Sequence, residues 1–299
     1  MGGSQSGQAT TPAALAVGVN TASLSPGAYQ ASLTLTPTGG QAVTLAVKVN
    51  VVPSIAAVTN AASFLTGPVA PGEIITIFGS GLGPPAGVPL TSDLITNGQL
   101  PKTLGGVQAL IGGFPAPLLY AGAAQISAIV PYEITTPVFV ASPSLQVSYA
   151  GQISPPSVLQ QIATSPAIFT TGSKGTGQGA ILNSDLSVNA SDNPAHPGDI
   201  VVLYMTGEGQ TSPAGATGKI TPAAGPYPQT LLPPTVTIGG QTAQLLFYGE
   251  APGQVAGLMQ INVQIPASTS PGDVPVVVTI GTAASQSANK AGAVTLAVR

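Results

Sequence analysis

Two stretches of this chain repeat one another, and that repeat limits what the chain can fold into. The first is VAPGEIITIFGSGL, residues 69–82; the second is AHPGDIVVLYMTGEG, residues 195–209. In each, Pro-Gly punctuation precedes a short apolar, β-branched run, and glycines follow it. Ile74 to Phe78 has no polar alternation beyond Thr76, which is the pattern of a strand buried inside a sandwich. Pro71-Gly72-Glu73 aligns with Pro197-Gly198-Asp199. Gly79 and Gly81 are expected to let the chain leave the strand through backbone angles that a side chain resists.

The repeat continues downstream. GGVQALIGGFPAPLLYAGAAQISAIVP, residues 105–131, parallels PTVTIGGQTAQLLFYGEAPGQVAGLMQINVQIP, residues 234–266. This alignment matches Tyr120-Ala121-Gly122 to Tyr248-Gly249, and Gln125-Ile126 to Gln260-Ile261. A unit of more than roughly 100 residues is too long for a solenoid repeat and suits a β-sandwich able to form its own core. The expected fold is all-β: two related sandwiches in tandem, over residues 53–170 and 171–299, preceded by a partial sheet in residues 1–52.

Composition supports strands and tight turns. Apolar residues make up 43% of the chain, enough for a real core, while Gly (38) and Pro (30) interrupt them frequently. Charged residues make up only 5%, far below the roughly 25% usual in soluble domains. The surface must therefore be built from hydroxyls, amides and backbone. The six Lys and Arg are scattered, which argues against nucleic-acid binding, since phosphates call for clustered cations. Cysteine is absent, so disulfides, thiolate catalysis and Cys-ligated metal are excluded. No apolar run is long enough to span a bilayer and no signal peptide is visible. The poorly charged, Ser- and Thr-rich character suits the outside of a cell.

Residues 1–11 have no packing logic. Three strand-like runs follow: Ala14 to Val19, Tyr29 to Thr36 and Gln41 to Val52. Period-two alternation through Leu33, Leu35, Val43, Leu45, Val47, Val49 and Val51 predicts one buried face. Three strands cannot close a sandwich. Residues 12–52 should therefore leave an open edge, completed by further sequence, by the next domain or by a strand from another copy of the chain.

No catalytic, cofactor or metal site emerges from the residues. His196 is the only histidine; it lies between two prolines, no G-x-S-x-G elbow accompanies it, and a turn histidine is the expected reading. Asp185, Asp192, Asp199 and Glu208 form the densest acidic region. Their spacing fits no calcium loop, so solvated turn carboxylates are expected there, with Glu73 in a turn equivalent to that of Asp199. Tyr120 and Tyr248 end Leu-rich strands and are expected in the core; an exposed sugar-binding role is the alternative. Asn189-Ala190-Ser191 is a lone glycosylation sequon.

The motifs PGEIITIFGSGLGP, LPKTLGGVQALIGGFPAPLLYAGAAQISAIVP, GQGAILNSDLSVNASDNPAHPGDIVVLYMTGEG and VTIGGQTAQLLFYGEAPGQVAGLMQINVQIP resemble the Solibacter-type C-terminal domain of large exported proteins of Acidobacteria. Thr11 to Val52 resembles the second half of an Ig-like or BACON-type repeat, and PSIAAVTN with PGEIITIFGSGLG is similar to the opening of an IPT/TIG domain. The resemblance implies an exported, Ig-like architecture and no catalytic residues. The expected function is a non-enzymatic extracellular structural or adhesion module. Two alternatives are a surface filament assembled by strand donation from residues 12–52 and a glycan-binding module.

Overall fold

A computed structural model describes residues 17–21, 23–135, 142–287 and 292–299. It divides into two compact units, Met1–Val51 and Val52–Arg299.

The first unit is a two-stranded antiparallel ribbon, Gly27–Leu35 with Val43–Val51. Its register sets Tyr29 against Val49, Ala31 against Val47, Leu33 against Leu45 and Leu35 against Val43. One face is therefore wholly apolar. The other pairs Gln30 with Lys48 and Thr34 with Thr44. No residue of either strand is buried, so the expected buried face forms as a face without being covered. Of the first expected strand, Ala14 to Ala16 lie outside the described residues, and Val17–Val19 are irregular.

The second unit is all-β, with two short 3-10 turns and no α-helix among the described residues. Its strands form two sandwiches of the same topology. In the first, Ser54–Asn60, Ile74–Ser80, Gln125–Ile129 and Leu118–Ala121 pair in that order. The facing sheet runs from Ser157–Val158 through Ser144–Tyr149 and Gln108–Ile111 to Phe114–Pro115. This is the immunoglobulin order, strands ABED facing GFC. The second sandwich repeats it. Ala167–Ile168, Ile200–Thr206, Met259–Gln264 and Gln244–Glu250 form one sheet. Val294–Val298, Gly272–Ile280, Pro234–Ile238 and Gln241–Thr242 form the other.

Each sandwich encloses its own core. Ile75, Ile77, Val107, Ile126, Leu145 and Val147 fill the first. Leu203, Met205, Val236, Ile261, Val276 and Leu296 fill the second. The repeat survives in detail: Ile77 pairs with Ile126 as Leu203 pairs with Ile261. A bulge follows Leu118 in one copy and Leu245 in the other. The register corrects one expectation. Tyr120 stands opposite Ser127, and its counterpart is Phe247, opposite Asn262. Tyr248 matches Ala121 instead, one residue away from the sequence alignment.

Two further details differ from the sequence reading. The second sandwich takes its first strand from Ala167–Ile168, ahead of residue 171; two residues are too few to show a strand period. Gly81 takes the positive φ expected of it, +63°, but Gly79 is needed for space: a Cβ there would lie 1.9 Å from the Ser54 carbonyl oxygen. The expected strand near Phe139 lies outside the described residues.

Candidate functional site

The two sandwiches do not merely follow one another. Val52–Arg299 is one compact unit, and a third apolar cluster joins its halves: Ile74, Leu100 and Ile129 pack with Phe169, Ile220, Val255 and Leu258. The long loop after Pro84 supplies Leu100. Its amide donates to Gly218 O at 2.8 Å, while Ile220 N donates to Gly98 O at 2.8 Å. Two segments that read as loops in the sequence thus pair with each other across the seam.

Polar side chains complete the seam. Thr206, fully buried, accepts from Ile74 N at 2.8 Å and donates to Gly257 O at 2.8 Å. One hydroxyl therefore satisfies a strand start in the first sandwich and a turn carbonyl in the second. Gln286 uses its amide as a strand would: Oε1 accepts from Ile168 N and Nε2 donates to Ile168 O, both at 2.8 Å. Asn60 Oδ1 accepts from the amides of Ala62 and Ser63, and Nδ2 donates to Glu73 Oε1 at 2.8 Å and to Ser165 O at 3.1 Å.

The seam also holds three buried carboxyl groups. Glu73, Glu208 and Glu250 are 1%, 1% and 3% exposed. This corrects the expectation of solvated turn carboxylates for Glu73 and Glu208. The turn equivalence itself holds. Glu73 Oε2 accepts from Ala70 N at 2.7 Å just as Asp199 Oδ2 accepts from His196 N at 2.8 Å. Gly72 and Gly198 take positive φ of +74° and +91°, and each amide donates to the residue just past the partner strand in its own sandwich, at Val130 O and Ile265 O. One copy of the turn is buried against the second sandwich; the other faces solvent.

Burial pushes the Glu73 carboxyl up to about 8, against the opposing pull of its bonds from Ala70, Asn60 and Ser165. Glu208 is also pushed up to about 8, by burial first and then by the charge of Glu250. Glu250 is raised by burial, with Thr221, Lys219 and Tyr132 opposing. The Tyr132 hydroxyl donates to Glu208 Oε1 at 3.1 Å and is also hydrogen-bonded with Glu250. Burial and the two carboxyls hold the Tyr132 hydroxyl well above its ordinary value. Glu208 Oε2 and Glu250 Oε1 have no hydrogen-bond partner.

The candidates singled out in the sequence lie elsewhere, apart from Glu208. His196 is 60% exposed on its turn, with Nδ1 3.4 Å from Asp199 Oδ2. Asp185 accepts from Ser187 N and Oγ, which lowers its carboxyl, and Asp192 is exposed. No group of three or more acidic or histidine side chains among the described residues is placed to hold a metal ion. Tyr248 packs on the second core, while Tyr120 is half-buried beside Gly87 and Gly122. Asn189 is fully buried and bonds both ways to the Ala297 backbone, at 2.8 and 3.0 Å, so its sequon is inaccessible in the fold.

No protein-family model and no curated protein matches the sequence. Among solved structures, the chain is similar to the full extracellular region of plexin A4, domains 1 to 10, at 12% identity and a TM-score of 0.26, covering 83% of this chain and 16% of that one. It is also similar to SGBP-B of the Bacteroides ovatus mixed-linkage glucan utilization locus, in complex with mixed-linkage heptasaccharide, at 14% identity and a TM-score of 0.33, covering 93% of this chain and 55% of that one. The chain thus spans a sixth of the first and about half of the second.

Proposed function

We propose that this chain is a non-enzymatic extracellular structural or adhesion module that acts as a stiff two-sandwich segment. The observation that supports this best is the seam. A spacer must hold its domains in one orientation, and the Ile74–Thr206–Gly257 hydrogen-bond bridge with the shared apolar cluster does that. Relative domain motion is the default in tandem chains unless an apolar interface holds the domains together. The 5% charged composition, with hydroxyl and amide side chains in its place, suits packing in a crowded surface layer. Immunogold labelling of intact, unpermeabilised cells that make the protein tests the location. Surface label that protease shaving removes is expected; label only after permeabilisation would contradict the reading.

A second reading is supported by the ribbon at residues 27–51. An isolated two-stranded sheet is marginally stable in water, and here Leu35, Val43 and Leu45 are 38%, 54% and 47% exposed on one face. A second copy of the chain could cover that face, so that chains polymerise through residues 12–52. Sedimentation and negative-stain microscopy should show concentration-dependent oligomers that Val43→Lys with Leu45→Lys abolishes. Monodisperse monomers at high concentration would remove this reading.

A further inference from the structure

A cavity of about 330 Å³ lies beside the seam, and two buried oxygen atoms of its lining, Gln161 Oε1 and Glu208 Oε2, have no partner. Gln161 Oε1 accepts at any pH and Glu208 Oε2 becomes an acceptor once its carboxyl ionises, so an occupant that carries donors and displaces the Glu208 proton satisfies both. The rest of the wall joins Pro71, Ala163, Leu231 and Leu232 to Thr164, Gln210 and Thr230, whose side chains donate to Ile280 O, Tyr132 O and Glu208 O. Leu231 and Leu232 are 61% and 44% exposed and so mark the mouth. No Lys, Arg or His lines the cavity to supply the missing donors.

We propose that this cavity binds a primary alkylammonium group. Its N–H donors meet Gln161 Oε1 and Glu208 Oε2, and its hydrocarbon stem lies against Pro71, Leu231 and Leu232. An amide oxygen only accepts, and a carboxylate accepts best when ionised, so this donor set selects a cationic donor over a neutral one. The apolar part of the wall removes competing water, which strengthens the charge-assisted bonds.

The proposal carries its own pH signature. Glu208 faces the Tyr132 hydroxyl and the Glu250 carboxyl, and the Lys219 charge acts on Glu250. Glu73 lines the neighbouring cavity, which shares Thr164 with this one. Burial and the Glu250 charge leave Glu208 protonated up to about pH 8. The ammonium therefore displaces a proton when it binds. The ionised fraction of a group titrating at 8 rises about tenfold between pH 7 and pH 9, while an alkylamine of pKa near 10.4 stays charged.

The test is calorimetric titration of the full chain with n-pentylamine and with Nα-acetyl-lysine N-methylamide, using n-pentanol as the neutral control. Both amines should bind about tenfold more tightly at pH 9 than at pH 7, with proton release at pH 7 seen by changing buffer. Tighter binding of the lysine derivative identifies a protein side chain as the natural source; tighter binding of pentylamine identifies a free amine. Glu208→Gln should weaken binding and flatten its pH dependence. Gln161→Leu should weaken binding equally at both pH values and keep the slope. Pentanol binding as tightly as pentylamine, absence of amine binding, or a natively folded Glu208→Gln protein that binds like the unmodified chain would overturn the proposal.

Discussion

A Cβ on Gly257 would lie 2.1 Å from the carbonyl oxygen of Gly72. These two glycines come from different sandwiches, and their backbones meet where no side chain fits. Gly257 also holds a φ of +103°, which an L-residue resists. Gly257→Ala should therefore force the seam apart and cost more than about 3 kcal/mol. Urea denaturation of the full chain checks it, with Gly253→Ala as control: that glycine also has positive φ, +70°, but open space around it.

The Thr206 hydroxyl bridges Ile74 N of the first sandwich and Gly257 O of the second. Thr206→Val keeps the shape and leaves a buried donor and a buried acceptor unpaired. The expected loss is about 2–4 kcal/mol, and Thr206→Ser should recover most of it. Equal stability of the Val and Ser variants would show that the hydroxyl holds nothing together.

The seam carboxyls give the protein an inverted pH dependence. Glu73 and Glu208 have folded values of about 8 against 4.5 for the free group. Between those values the folded chain binds more protons than the unfolded chain, so stability falls as pH rises. Their contribution is complete below about 4.5 and is lost as pH passes 8. The exposed Asp93 and Asp185 are lowered by their own turns, and their opposing loss begins only below the ordinary 3.8. Melting of the full chain should thus peak near pH 5 and drop by roughly 10 °C by pH 9. Glu73→Gln with Glu208→Gln should flatten the curve. A melting temperature that rises from pH 5 to pH 9 would contradict the assignment.

Asn189 binds the last strand rather than a sugar. Its side chain accepts from Ala297 N and donates to Ala297 O, and it also accepts from Gln178. Asn189→Ala should cost about 2–4 kcal/mol. A secretory host that glycosylates exposed sequons should leave the folded protein unmodified, which mass spectrometry reads directly.

The duplication was legible because buried strands repeat their side chains, as Ile75 and Ile77 match Val201 and Leu203 in the two copies. The turn before each of these strands was legible too, because Pro-Gly followed by an acid fixes one geometry. What escaped was the difference between the copies. Glu73 and Asp199 make the same bond to the residue three positions earlier, and nothing local says that one is buried against a neighbour. Glu208 likewise follows a turn glycine and reads as solvated. Its burial arises from Tyr132, 76 positions away in sequence. The tyrosine register was missed because the sequence offers a tyrosine to match a tyrosine, whereas counting from the equivalent bulges after Leu118 and Leu245 sets Tyr120 level with Phe247.

Hydrogen exchange across the full chain tests the fused seam most directly. Amides of Ile75 to Ile77 in the first sandwich and Leu203 to Met205 in the second should open with one common free energy, and Thr206→Val should lower both by the same amount. Two separate opening energies, with Thr206→Val lowering only the second, would show two independent sandwiches and contradict the account.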